Sequence, residues 1–233
     1  MRTVVLVPGS YHGPWCWWRV MEGLDAAGVR AVAVELPFTG LDADVAATRS
    51  VMDGMSGPFL LCGHSYGGMV ISAAASARAN VDHLVYLCAL QTDRDESFVP
   101  YITDYPSMLP GAVLTTDRGR EADLSQVEEM FYADCSAADV ALAKRSLRPM
   151  NADRSARLAV EPAWHHTPST YVCCSEDRAL HLDAQRIFAA RATRSVTWKS
   201  GHSPFLSRPE LVVGLLAGLA SSALELVGPT GGL

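Results

Sequence analysis

"LLCGHSYGGMV", residues Leu60 to Val70, sets one serine among three glycines, straight after an apolar run and straight before a helix-like stretch. Gly63-His64-Ser65-Tyr66-Gly67 has the form G-x-S-x-G. A serine at the tip of a sharp strand-to-helix turn sits in a strained backbone. Its neighbours two positions away must lack side chains, or the turn cannot close. Gly63 and Gly67 supply that clearance, and Gly68 lets the helix approach the sheet. The competing reading is a glycine-rich turn with an incidental serine. The choice depends on whether the rest of the chain supplies the strand, the helix and the chemical partners that a nucleophile needs.

Short β-like runs alternate with helix-like ones. Strands are expected at Thr3–Val7, Ala31–Val34, Phe59–Cys62, His83–Cys88, Thr170–Cys174 and Ser195–Lys199. Helices are expected at Trp15–Ala27, Asp42–Met55 (capped by Asp42 or Asp44), Tyr66–Ala79, Asp183–Arg191 and Pro209–Val227. Continuous apolar strands joined by helices predict an α/β fold, a mostly parallel sheet wound on both faces. In such sheets sites lie outside the carboxyl ends of the strands. Residues 91–162 break the alternation: they hold no strong strand run but two helix-like segments, "SQVEEMFYA" and "SAADVALAKRSL". They read as a small helical cap inserted into a core made of residues 1–90 and 163–227, with 228–233 as a disordered tail.

A serine hydroxyl needs a base, and the base needs orienting. In this architecture the order is Ser, acid, His. "STYVCCSEDRAL" ends a strand with Glu176 and Asp177, and "VTWKSGHSPF" places His202 in the loop after the last strand. The assignment is Ser65 as nucleophile, His202 as general base and Asp177 as the orienting carboxylate, with Glu176 as the alternative acid. In a regular turn of this kind, His64 points away from the nucleophile. An oxyanion needs donors. The Tyr66 N–H is one candidate, and the Ser10 N–H of the loop "PGSYHG" (8–13) is the other. Trp15, Trp17 and Trp18 read as packing residues.

Composition narrows the function classes. The 233 residues are 49% hydrophobic and 19% charged, enough for a sizeable core in one domain with an insertion. With a net charge of -6 and no Lys/Arg block, neither nucleic acid nor an acidic membrane surface is an expected partner. The apolar run Thr3–Val7 stops at Pro8, too short for a membrane span or a signal-peptide core. Of the six cysteines, Cys62, Cys88, Cys173 and Cys174 lie in or beside apolar runs and none has metal-ligand spacing. Buried reduced thiols, a cytoplasmic location and no bound metal are expected.

The segments "VVLVPGSYHGPWCWWRV", "LLCGHSYGGMV", "FYADCSAADVALAKRSLRP", "YVCCSEDRAL" and "SGHSPFLSRPE" span nearly the whole chain. Together they resemble the α/β-hydrolase superfamily, within it the branch of plant methylesterases and hydroxynitrile lyases with their bacterial relatives. The resemblance implies the same triad, Ser65, Asp177 and His202. It also implies Ser10 and Tyr66 as oxyanion donors, a small cap over the pocket, no cofactor, and a homodimer as one assembly state. There are departures. Pro8-Gly9 stands where members commonly have His-Gly. Gly9 and Ser203 stand where lyase members need a threonine and a lysine, which favours an esterase.

The expected function is cofactor-independent cleavage of a small to medium carboxylic ester through an acyl-enzyme. Phe98, Tyr101, Met108, Phe131 and Tyr132 are candidate apolar pocket walls, with ordinary packing as their other reading. One alternative keeps the triad for a lyase or a lactone- or amide-cleaving step. Another makes the chain a non-catalytic ligand-binding receptor on this fold.

Overall fold

Every side chain of Thr3–Val7 (β1) is buried, and so is every side chain of Phe59–His64 (β3) and Ser169–Cys174 (β7). Strands buried on both faces must be covered on both. In the computed structural model, which describes residues 2–151 and 156–221, these strands join Ala31–Ala33 (β2), Val81–Leu87 (β4) and Arg194–Trp198 (β8) in one sheet of order β2-β1-β3-β4-β7-β8. All of its pairings are parallel. β2 and β8 are the edges, and β8 is largely exposed.

The chain steps one way from β1 to β2, then back across β1 to β3. Right-handed crossovers therefore put Trp18–Ala26 (α1) and Leu41–Asp53 (α2) on opposite faces. α2 packs on Gly67–Ala74 (α3), while α1 packs on the C-terminal helix, which begins at Pro209 and is described to Ser221. The expected continuation of that helix to Val227, and the 228–233 tail, lie outside the described residues. The reversal at β1 makes a topological switch point between the carboxyl ends of β1 and β3, where Pro8 and Ser65 begin their loops. The register pairs Val7 with Gly63 and His64 with Leu87, so the strand ends are level.

Three local expectations are corrected. α3 ends at Ala74 rather than Ala79, because the chain tightens to a Ser76 N–H to Ala73 O bond and Ala77 adopts φ +59°. α2 is capped by Gly40, not by Asp42 or Asp44. Asp44 is instead fully buried in the first turn, where Oδ1 accepts from the Phe38 N–H (2.8 Å) and Oδ2 from the Tyr66 hydroxyl (2.7 Å). Burial pushes its carboxyl upward, against the pull of these two donors. Lastly, the segment between β4 and β7 is not wholly helical. It carries α4 (Val99–Thr103), α5 (Val127–Phe131) and α6 (Ala137–Ser146). It also holds an antiparallel hairpin of β5 (Val113–Thr116) and β6 (Gly119–Ala122). These strands are short, and only Ala122 among their residues is buried, so no apolar run announces them. Ser136 caps α6, accepting from the Asp139 N–H.

Among the described residues no helix is long and apolar enough to cross a membrane. Because Asp44 answers two buried donors at once, Asp44→Ala is expected to destabilise the fold by about 2 kcal/mol or more. Urea unfolding followed by circular dichroism checks this; an unchanged midpoint would show the Asp44 bonds to be dispensable.

Candidate active site

Ser65 stands at φ +51° between β3 and α3. A serine there is strained, and such strain persists only where the surroundings over-determine it. They do so here. A Cβ on Gly63 would lie 2.5 Å from the Gly67 carbonyl oxygen. One on Gly67 would lie 2.6 Å from Val7 O and 2.7 Å from Pro8 O. The Ser65 N–H donates to Leu87 O (3.3 Å), and Ser65 O accepts from the N–H groups of Gly68 and Leu90 (both 3.0 Å).

Asp177 follows β7 by three residues, and its side chain is completely enclosed. Its Oδ1 accepts from the Ala179 and Leu180 N–H groups at 2.8 and 2.9 Å. Its Oδ2 accepts from His202 Nδ1–H at 2.7 Å and from Gln185 Nε2 at 3.1 Å. Since a carboxylate oxygen only accepts, the proton sits on Nδ1 and Nε2 is left as an acceptor. Glu176, the alternative acid, is half-exposed and lies 3.7 Å from Lys199 Nζ. Sequence reasoning missed Gln185. It is fully buried on α7 (Leu182–Ala189) beside Ala184 and Phe188, and it also bonds both backbone groups of Cys174. A glutamine on the apolar face of a helix was the available signal.

The His202 loop is held from three further sides. His64 Nε2–H donates to His202 O at 2.8 Å, and the two rings lie 4.6 Å apart. His64 thus braces the loop from below; burial drives its imidazole well below the ordinary range, so it is neutral. The Phe131 ring stacks on His202 at 5.4 Å. Asp134 Oδ2 accepts from the Gly201 N–H (2.9 Å) and the Ser200 hydroxyl (3.2 Å). Among the described residues His64, Cys88 and His202 bring potential metal-ligand atoms within 4.8 Å. This meeting could not be read from their spacing. A thiol must lose its proton to bind a metal, and burial holds the Cys88 thiol well above its ordinary range, so the trio is a poor ligand set.

Ser65 and His202 open onto one narrow, mainly apolar cavity of about 60 Å³, which Ser10 and Tyr66 also line. Among the described residues neither the Ser10 nor the Tyr66 N–H is given to a protein acceptor. Of the five expected wall residues, Phe98 lines the cavity. The other four are corrected. Tyr101 turns to Glu96 and packs on Phe188 (4.4 Å), because Arg191 gathers both polar groups. Met108 lies outside the lining, its N–H bonded to Arg178 O. Phe131 covers His202, and the Tyr132 hydroxyl bonds His12 Nε2 at 2.7 Å. The walls come instead from residues such as Tyr11, Ile102, Leu109, Met150 and Leu180, with Arg120 from the hairpin.

A parallel doubly wound sheet with a glycine-flanked serine on a strained turn, and a histidine–carboxylate pair on the same edge, defines an α/β protein of the hydrolase type. The chain matches the alpha/beta hydrolase family over residues 4–215, and it belongs to that family. It is 27% identical to an alpha/beta hydrolase of Aspergillus novofumigatus (strain IBT 16806), over 96% of this chain and 98% of that protein. It is 27% identical to an alpha-hydroxynitrile lyase of Arabidopsis thaliana, over 93% of this chain and 96% of the relative. With methylesterase 2 of Arabidopsis thaliana the figures are 25%, 94% and 95%. Among solved structures, polyneuridine aldehyde esterase superposes with a TM-score of 0.80 at 21% identity, covering 94% of this chain and 99% of its own. Within that family its similarity extends to a methylesterase and to a hydroxynitrile lyase alike.

The two acids should separate in unfolding measurements. Asp177→Ala strands several buried donors and is expected to cost about 3–5 kcal/mol. Glu176→Ala loses an exposed ion pair and should cost less than about 1 kcal/mol. Equal midpoints in urea would refute the network described around Asp177.

Proposed function

We propose that this hydrolase cleaves a small to medium carboxylic ester through an acyl-enzyme. One observation carries the reading: a serine forced to φ +51° shares a cavity with a histidine whose far nitrogen is bonded to a buried carboxylate. Ser65 Oγ attacks the ester carbonyl while His202 Nε2 takes its proton. Asp177 fixes the tautomer and stabilises the imidazolium that forms. The N–H groups of Ser10 and Tyr66, given to no acceptor among the described residues, receive the oxyanion. His202 returns the proton to the leaving alcohol. Water, deprotonated by the same imidazole, then attacks the acyl-serine and frees the acid. Neither step calls for a metal or cofactor. The mainly apolar walls favour an ester with an apolar part. The similarity to methylesterases supports an ester over a lactone or amide. Six free cysteines suit a reducing compartment, in keeping with a cytoplasmic site of action.

A lyase reading draws on the hydroxynitrile lyase relative, but two positions speak against it. A Cβ at Gly9 would stand 2.7 Å from His64 Nδ1 and 2.9 Å from Ser65 Cβ, so this chain has no room for a hydroxyl-bearing side chain there. Ser203, after His202, is fully buried and brings no cation.

Ser65→Ala should lower p-nitrophenyl acetate turnover to the roughly 10³–10⁴-fold residual acceleration that binding and the oxyanion donors give alone. The same change should abolish labelling by a fluorophosphonate probe. Labelling that survives it would remove Ser65 from the chemistry, and a wild type that neither turns over nor labels would make this a binding protein. Mandelonitrile offers a separate check. Cyanide release should be slow beside ester cleavage; fast, Ser65-dependent release would favour the lyase.

A further inference from the structure

We infer that Arg191, which lies outside the cavity lining, sets the size of ester the enzyme accepts by fixing three of the cavity's apolar walls at once. This rests on the proposed ester cleavage and names the group that limits its substrates. Arg191 follows α7, and its N–H closes a turn on Phe188 O (2.9 Å). Its guanidinium reaches the chain that leaves β4. Nη1 donates to Gln91 O (2.8 Å) and to Glu96 Oε2 (2.6 Å). Nη2 donates to Glu96 Oε1 (2.8 Å) and to the Tyr101 hydroxyl (3.2 Å), which itself donates to Glu96 Oε1. Each of these partners stands next to a wall or nearly so: Gln91 follows Leu90, Glu96 comes two residues before Phe98, and Tyr101 precedes Ile102.

The walls need such a hold. Ile102 lies on α4 and Phe98 just before it, and a helix of five residues is too short to stand on its own backbone bonds. Dispersion contacts keep a wall buried but give it no preferred direction. A bidentate guanidinium–carboxylate fork does. Rings flank this fork: Arg191 Cζ lies 5.4 Å from the Phe188 ring and 5.9 Å from the Trp164 ring. Burial pushes the Glu96 carboxyl up, but its bonds to Arg191 and Tyr101 outweigh that and bring it down to about 2, so the fork is charged at neutral pH. The chain is anchored separately on either side, by the Asp95 N–H on Leu158 O (3.0 Å) and by Ser107 Oγ on Ala179 O (2.6 Å). Between those anchors Arg191 holds Glu96 and Tyr101. Without it, Phe98 and Ile102 move outward and the cavity of about 60 Å³ widens, while Asp177 and His202 keep their own bond.

Three variants of the full chain test this: Arg191→Met, Glu96→Gln and Tyr101→Phe. Arg49→Met is the control. It breaks a guanidinium's bonds to Ala73 O and Ala74 O, and neither Arg49 nor these two residues line the cavity. Each is assayed for kcat/KM on p-nitrophenyl esters from acetate to octanoate and on alkyl acetates from methyl to hexyl. Fluorophosphonate labelling and thermal unfolding are measured beside them. The wild type should prefer short esters. In Arg191→Met the short-to-long ratio should fall roughly tenfold or more in at least one series, tenfold being the lower end of the discrimination that one methylene gives in an apolar pocket. Turnover of the shortest ester and the labelling rate should change little. Glu96→Gln and Tyr101→Phe each weaken the fork in part and should lower the ratio less. Arg49→Met should keep the wild-type ratio.

A folded Arg191→Met with the wild-type ratio in both series overturns the inference, whatever its stability. So does an Arg49→Met that lowers the ratio as far, since general loosening would then explain both. A wild type that takes long and short esters alike overturns it too. Should Arg191→Met fail to fold, Tyr101→Phe decides, because it keeps the ring that packs on Phe188: a lowered ratio supports the inference, and an unchanged one overturns it. A wild type inert toward every ester and toward the fluorophosphonate probe overturns the functional reading and this one with it. A wild type that is active beside an Arg191→Met of unchanged ratio overturns this one alone.

Discussion

The carbonyl oxygens of Val7 and Pro8 lie 2.6 and 2.7 Å from the point where a Cβ on Gly67 would stand. The exit of β1 and the turn after β3 therefore touch, backbone against backbone, with no side chain between them. The parallel register that sets Val7 beside Gly63 leads both strands to this point at one level. The strand order reverses there, so the two connections leave on opposite faces and a crevice opens between them. Ser10 and Ser65 meet in one cavity because neither loop can move without breaking that contact. The Tyr66 hydroxyl, bonded to Asp44, ties the same turn to α2. The strain at Ser65 is thus balanced by packing on two sides, not by anything within the pentapeptide.

His202 is placed by quite different means. Nothing in its own loop fixes it. Asp177 comes from the end of β7, Gln185 from α7, His64 from β3, and Phe131 and Asp134 from the insertion. Gln185 acts by holding Asp177, and each of the other four takes a different part of the residue or its loop: the Nδ1 proton, the carbonyl, the ring face, the preceding N–H. Inside a protein such a network is strong when every member is satisfied and costly when one is missing. Under the proposed chemistry the only group of the ring left uncommitted is Nε2, the atom that must exchange a proton with Ser65.

How legible this was depended on the range of the interaction concerned. β1, β3, β4 and β7 could be read because strands buried on both faces leave continuous apolar runs. Ser65, Asp177 and His202 could be read because each follows a strand, and the structure brings all three to one edge of the sheet. Asp44 was misread as a cap. An aspartate at a helix start is usually solvated; here the Phe38 N–H and the Tyr66 hydroxyl make it a buried acceptor. The β5–β6 hairpin gave no signal, since neither strand has a buried face long enough to alternate. Four of five expected walls proved to pack elsewhere, because an aromatic in an insertion advertises burial but not direction. His12 and Gln185 were missed because a buried polar residue acquires its role from what it faces: His12 faces Tyr132 of the insertion, and Gln185 faces the turn that carries Asp177.

The insertion accordingly plays two parts that follow different physics. Phe131, Tyr132 and Asp134 reach the loops that carry Ser10 and His202 through directed contacts, each with its own geometry. A shift of α5 would disturb both loops together. Phe98, Ile102, Leu109 and Met150 face the cavity through dispersion contacts alone, which have no preferred direction. Substitutions in the second group reshape the cavity and leave the reacting groups where they are; substitutions in the first group move those groups and leave the cavity lined as before. A frame divided in this way can keep its chemistry while its walls diverge.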